Sequence, residues 1–390
     1  MNQEYNPQSE QQNNQNTAPE NTGESTQNYT ENTYNGSSGA GTGAAGAQNG
    51  GTAPSAGAYV PPFTPFVPFG MTLNTLKEKN LIKKTALIIG LCLIVMSIIS
   101  FFWATAYYFI AGLFGISQLE AYNMISEPAA MQVVQILISS FMFTVPFIII
   151  YKGNGLRISD IVPLGKPKKG NRAAMFFFGV SFCAFANIAV SYASSFFDSF
   201  GVDYDVDFGE NPRGIFGFLL SFTATVLVPG LVEEFANRGL ILGILRKFGD
   251  GFAVVVSALI FGLLHGNFEQ IPFAFLVGLV LGYIVVKSES LWLAVAVHAF
   301  NNFISVFFDY ALASLSVTAQ NIIYNVFLML CLLSGIIALI LTKRGTEDFK
   351  FDKSPTECTL KQKTKWFFSS PLIIIFIVFS ILESLMYFVI

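Results

Sequence analysis

The chain has 390 residues, of which 53% are hydrophobic and 12% charged, with 41 Phe; soluble domains carry about twice that charge, so an ordinary soluble protein is excluded. The formal net charge of −3 divides into −5 over residues 1–76, which hold five Glu and no Lys or Arg, and +2 beyond, so the balance gives no indication of nucleic-acid binding. Cys92, Cys183, Cys331 and Cys358 have neither paired nor C-x-x-C spacing, and three of them lie in apolar runs, so neither a disulfide framework nor a zinc ribbon is indicated.

Residues 1–75 are rich in Asn, Gln, Gly, Ser and Thr, and then in Pro and Phe. Such a stretch buries too little apolar area to offset the entropy of ordering, and it reads as a disordered tail. It lacks the basic region and apolar core of a secretory signal. Its Pro/Phe-rich end reads as a tether, with a docking site for an unidentified partner as the alternative.

Residues 85–390 read as an all-α polytopic membrane bundle. Nine apolar runs fall at about 85–110, 131–151, 173–195, 214–236, 252–267, 271–287, 291–312, 321–342 and 367–389. A spanning helix needs about 20 apolar residues. The fifth and sixth runs are short, so the count of spans is eight or nine. Trp292 and Trp366, near the starts of two runs, fit interfacial anchoring.

Connector charges alternate. Lys77, Lys79, Lys83 and Lys84 precede the first run, Lys152 to Arg172 follow the second, Arg238 to Lys247 the fourth, Lys287 the sixth, and a Lys-rich loop from Lys343 to Lys365 the eighth. The connectors between are acidic or neutral, with Glu120 and Glu127, then Asp198 to Glu210, then Glu269 and Asp309. Because Lys and Arg collect on the cytoplasmic side, the N-terminus is expected in the cytoplasm of a multi-pass cell-membrane protein. The Lys343–Lys365 loop would also suit anionic head groups.

Ionisable groups at bilayer depth cost at least about 2.5 kcal/mol on insertion scales, so they mark functional positions. The fourth run ends in V-E-E-F-A-N-R, where Glu234 and Arg238, four apart, share a helix face and Glu233 points elsewhere. The chain's two histidines are also intramembrane, His265 in F-G-L-L-H-G-N and His298 in A-V-A-V-H-A-F-N-N. Asn302 projects with His298, and Phe261 sits one turn before His265. A packing role for each imidazole and an interfacial cluster for the acids are the plainer alternatives.

Together, one free carboxylate, two imidazoles and a carboxamide suffice for hydrolysis without a Ser or Cys nucleophile. The acid takes a proton from water, an imidazole holds or relays it, and N–H donors stabilise the oxyanion. A zinc or other divalent-metal version stays open, with Glu233, His265 and His298 as ligands, although H-E-x-x-H is absent. At about 1.5 Å per residue, Glu233 and His298 lie ~8–10 Å below the expected cytoplasmic boundary and His265 ~20 Å. Agreement requires residues 239–252 to dip into the membrane or the fifth helix to tilt, and the common pocket would open toward the cytoplasm.

The order E-E-x-x-x-R (Glu233, Glu234, Arg238), F-x-x-x-H (Phe261, His265) and H-x-x-x-N (His298, Asn302) resembles the CPBP family, the CAAX proteases and bacteriocin-processing enzymes also called Abi, over about residues 171–312. The resemblance implies an intramembrane endopeptidase related to the type II CAAX prenyl endopeptidase, acting on a membrane-associated or lipidated peptide near the cytoplasmic face. It assigns Glu233 as the base that activates water, His265 as its partner, His298 and Asn302 as oxyanion stabilisers, and Glu234–Arg238 as a structural ion pair. No cofactor is assumed, and the bilayer and a peptide substrate are the expected partners. Two other classes fit the same residues, a non-catalytic immunity or scaffold protein and a proton-coupled transporter, though the inverted repeats of the latter are not seen. Glu383, in the ninth run, has no basic partner in its own helix and receives no role.

Overall fold

The computed structural model describes residues 71–167, 172–199, 210–343, 351 and 356–386. Residues 1–70 of the tail, the acids Asp203, Asp205 and Asp207, the cations Lys168 and Lys169, and residues 344–350 and 352–355 of the Lys343–Lys365 loop lie outside these.

The described chain is helical, in the order α1 (Leu73–Leu113), α2 (Gln118–Ser126), α3 (Pro128–Gly153), α4 (Ile158–Ile161) and α5 (Arg172–Asp198). Next come α6 (Gly214–Phe248), α7 (Asp250–Leu263), α8 (Gln270–Ser288), α9 (Leu291–Ala311), α10 (Val317–Lys343), α11 (Leu360–Phe368) and α12 (Pro371–Leu385). Local chemistry fixes several starts. Thr72 caps α1, Ser117 and Glu120 form a reciprocal capping box on α2, and Pro128 and Pro371 occupy first-turn positions where a missing N–H costs nothing.

Among the described residues, seven helices are long and apolar enough to cross a membrane: α1, α3, α5, α6, α8, α9 and α10. The α11–α12 pair, bent by 75°, makes an eighth if taken as one span. Every apolar run of the sequence is therefore a helix, with three departures. The fourth run does not stop near residue 236 but continues to Phe248. The fifth is only the 14-residue α7, about 21 Å long against an apolar core of about 30 Å, so it cannot cross alone. The ninth is broken between Phe368 and Pro371. Trp366 is buried, with Lys79 Nζ 5.9 Å from its ring.

The core lies where α6, α7, α8 and α9 meet. Small residues allow close approach, as expected for helix pairs in lipid. A Cβ on Gly278 would lie 2.9 Å from Ala258, and one on Gly230 would lie 3.2 Å from Ala299 Cβ, so α8 sits close on α7 and α6 close on α9. The α11–α12 pair ties down the end of α6 and the end of α7. Buried Lys363 donates from Nζ to the Phe248 carbonyl at 2.7 Å, and Ser380 Oγ donates to the Leu263 carbonyl.

Candidate active site

Two π-helical stretches, Phe222–Leu227 and Phe235–Ile241, flank the α-helical turns Val228–Glu234 that carry the acids. Pro229 has no N–H to give the Thr225 carbonyl four residues earlier, which opens the ladder there. Asn302 Nδ2 supplies a donor to that carbonyl at 2.9 Å, and Asn301 Nδ2 donates to Asn302 Oδ1 at 3.2 Å. One Asn302 N–H is thus committed to α6 and the other remains.

Glu233 and Glu234 are consecutive on the helix and face different surroundings. Glu234 is fully buried, and its Oε1 accepts from Arg238 Nη1 at 2.8 Å and from His298 Nδ1 at 2.8 Å. Arg238 is 1% exposed, and its guanidinium stands 3.9 Å from the centre of the Phe261 ring. The expected Glu234–Arg238 pair is present, and His298 joins it. Glu233 instead lines a cavity of about 380 Å3, and its carboxylate makes no hydrogen bond to another described residue.

His265, His298, Asn302 and Phe261 line the same cavity. His265 Nδ1 lies 2.8 Å from the Phe261 carbonyl. A carbonyl can only accept, so Nδ1 carries the proton and Nε2 is the unprotonated nitrogen. By the same logic His298 Nδ1–H donates to Glu234, which leaves its Nε2 to the cavity. The turn bearing His265 is tied down by Asn267, whose Nδ2 donates to the His265 carbonyl at 3.0 Å and whose Oδ1 accepts from Gln270 N at 2.8 Å. Gly266 follows at φ +64°, and a Cβ there would lie 2.8 Å from the Glu383 carboxyl carbon. Glu383, left without a role by sequence, therefore packs against the His265 turn.

The motif F-x-x-x-H acquires a physical reason. The Phe261 ring takes Arg238 on its face and packs with centroid separations of 4.9 Å from His265 and 6.0 Å from His298. Sequence reasoning missed the Glu234–His298 bond, because those residues are 64 positions apart. It also missed the carboxamides Gln135, Asn187, Gln270 and Asn301 that line the cavity; their only signal was polarity inside apolar runs.

The depth mismatch of His265 disappears. With α6 extended, Glu233 stands fifteen residues before Phe248 and His265 fifteen after Asp250, so both lie about 20 Å from the turn at Gly249. The start of α9 sits deeper than assumed. Leu291 N donates to the Pro163 carbonyl and Trp292 Nε1 to that of Leu164, both at 2.8 Å. The preceding residues Val162 and Ile161 abut Gly239 and Gly243, well inside α6.

Of the lining residues, Thr225, Gln270, Phe273, Ser305 and Tyr324 belong to the halves of their helices nearest the acidic connectors, whereas His298, Val180 and Cys183 belong to the halves nearest the basic ones. For the metal version, no set of three His, Cys, Asp or Glu side chains placed to hold one ion occurs among the described residues, and Glu233, His265 and His298 do not form such a set.

Residues 215–304 match the family model described as type II CAAX prenyl endopeptidase Rce1-like. No curated protein and no solved structure matches the chain. The match begins at the second residue of α6 and ends two residues after Asn302, so it contains every residue of the three motifs. Residues 215–304 of this multi-pass membrane protein thus match an Rce1-like domain, consistent with the CPBP family of CAAX proteases.

Proposed function

We propose that the protein is an intramembrane endopeptidase that hydrolyses a peptide bond by glutamate-activated water. One observation carries the reading: Glu233, with its carboxylate uncommitted, shares a polar cavity with both imidazoles and Asn302. Water held between Glu233 and His265 Nε2 gives its proton to the carboxylate as its oxygen adds to the substrate carbonyl. The second N–H of Asn302 then donates to the oxyanion. His298 donates there as well when Nε2 is protonated, with the Glu234 carboxylate on Nδ1 as counter-charge. Transfer of the proton from Glu233 to the leaving amine releases the product as the C–N bond breaks.

Asn302 on this reading both repairs α6 at Pro229 and serves the reaction. Among the described residues that line the cavity there is no Lys or Arg, whereas carboxamides occur. These side chains suit hydrogen bonds along an uncharged backbone and provide no counter-ion for a chain-terminal carboxylate. An internal or extended peptide segment is accordingly the favoured substrate, and the N-terminus is assigned to the cytoplasm by connector charge.

The test is mass spectrometry of membrane peptides from cells expressing the full chain or Glu233→Ala, with metal analysis of both purified proteins. Peptide products present with the wild-type chain and absent with the variant support the reading; identical peptide sets refute it. Stoichiometric metal whose removal abolishes cleavage would replace the metal-free mechanism.

A further inference from the structure

We infer that Glu383, Ser97 and Ser100 form a binding site for a single monovalent cation, Na+, behind the turn that carries His265. The site lies outside residues 215–304 and does not rest on the hydrolase reading.

Beside the turn after α7, the helices α1, α3, α7 and α12 enclose a cavity of about 30 Å3 that shares no lining residue with the one holding Glu233. Its polar lining is Ser97, Ser100, Ser380 and Glu383, and the remainder is apolar. A space of that size holds about one water-sized body. Glu383 is half-buried and sits about 18 Å along α12 from Pro371, in an apolar core about 30 Å thick. Its two carboxylate oxygens lie 2.8 and 3.2 Å from where a Cβ on Gly266 would stand.

Three of these side chains are uncommitted. Helical hydroxyls elsewhere in the chain turn back on their own helix, those of Ser126, Ser195, Thr223 and Ser384 each donating to the carbonyl four residues earlier. Ser97 and Ser100, three apart on one face of α1, hydrogen-bond no described residue, and neither does the Glu383 carboxylate. Ser380 gives its proton to the Leu263 carbonyl and keeps its oxygen lone pairs.

Among the described residues no cationic side chain answers this carboxylate. α1 has none after Lys84, α3 none before Lys152, and α7 and α12 none at all. His265 commits its Nδ1–H to Phe261 and lines the other cavity. An unneutralised charge at such depth is strongly disfavoured, and a bound ion removes it. Hard cations select oxygen, and the donors here are the carboxylate and three hydroxyls. One negative charge balances one positive charge, so the ion is monovalent. Filled, the site braces α1 and α12 against the turn bearing His265.

The test is Na+ titration of the full chain, purified in an uncharged detergent, with N-methyl-D-glucamine replacing Na+ at constant total salt and pH. Thermal unfolding and bound 22Na+ are both read. The wild-type midpoint should rise and saturate, the folding equilibrium gaining about tenfold when Na+ reaches ten times its half-saturating concentration, with bound 22Na+ approaching a single ion per chain. Glu383→Gln, which keeps the shape and removes the charge, should lose both responses. Ser97→Ala keeps the charge and should raise the half-saturating concentration at least threefold, which decides the matter if the amide variant does not fold. An unresponsive wild type overturns the inference, as does an equal response in Glu383→Gln or an unchanged half-saturation in Ser97→Ala. A midpoint that follows pH and ignores Na+ overturns it too, and makes the occupant a proton.

Discussion

Replacing either of the adjacent acids by its isosteric amide should give opposite phenotypes. Glu234→Gln keeps the shape of the side chain but removes the charge that faces Arg238 at 2.8 Å in a site where the two residues are 1% and 0% exposed. An uncompensated buried cation costs about 3–5 kcal/mol, or roughly two to three and a half orders of magnitude in the folding equilibrium. His298 loses its anionic partner in the same step. Glu233→Gln breaks no hydrogen bond, since the carboxylate faces the cavity, so its effect on stability should stay within about 0.5 kcal/mol. Its effect on cleavage should be a loss of about 10²–10⁴-fold, the range general-base catalysis supplies. The assay pairs SDS-driven unfolding in mixed micelles with cleavage of a membrane-anchored peptide in proteoliposomes. The reasoning fails if Glu233→Gln destabilises as much as Glu234→Gln, or if it retains cleavage within threefold of wild type.

Gly266→Ala forces a β-carbon into the left-handed region and to within 2.8 Å of the Glu383 carboxyl; it should cost about 1–2 kcal/mol and reduce cleavage by displacing His265. Adding Glu383→Ala relieves the contact but not the backbone strain, so thermal stability in detergent should recover only in part; full recovery or none would contradict this division. Asn302→Ala orphans the Thr225 carbonyl and should cost about 1–3 kcal/mol in the same unfolding assay, with kcat falling more than KM rises; unchanged stability would show that another donor reaches Thr225. Since no Lys or Arg lines the cavity among the described residues, C-terminal amidation of a cleaved peptide should change kcat/KM by less than threefold, and a tenfold loss would reveal a carboxylate subsite.

Much of this architecture was legible because hydropathy reports whether a stretch can tolerate lipid, and all nine runs were long enough to register. The error at Arg238 shows the limit of that signal. A charged residue read singly marks the end of a span, yet Arg238 is neutralised by Glu234 and covered by Phe261, and α6 continues ten residues beyond it to Phe248. Hydropathy adds residues independently, whereas burial of a charge depends on its partner. The site residues were visible because lipid makes every intramembrane polar group conspicuous, and helical spacing separated Glu233 from Glu234. The bond from His298 to Glu234 was not visible, because no local periodicity relates α6 to α9.

The E-E-x-x-x-R spacing makes sense as a division between holding and reacting. Consecutive residues on a helix point about 100° apart, so one acid turns into the core while its neighbour remains beside water. Glu234, fixed by Arg238 and His298, anchors α6 to α9 where Gly230 lets the helices approach, and Phe261 of α7 joins the same cluster through Arg238. Three helices are thereby registered against one another within a turn or two of the cavity, and Glu233 inherits a fixed position without spending its own oxygens on structure. Reversal of the two roles, with Glu233 in the ion pair, would point the anchored acid away from His298 and leave the imidazole without an orienting partner.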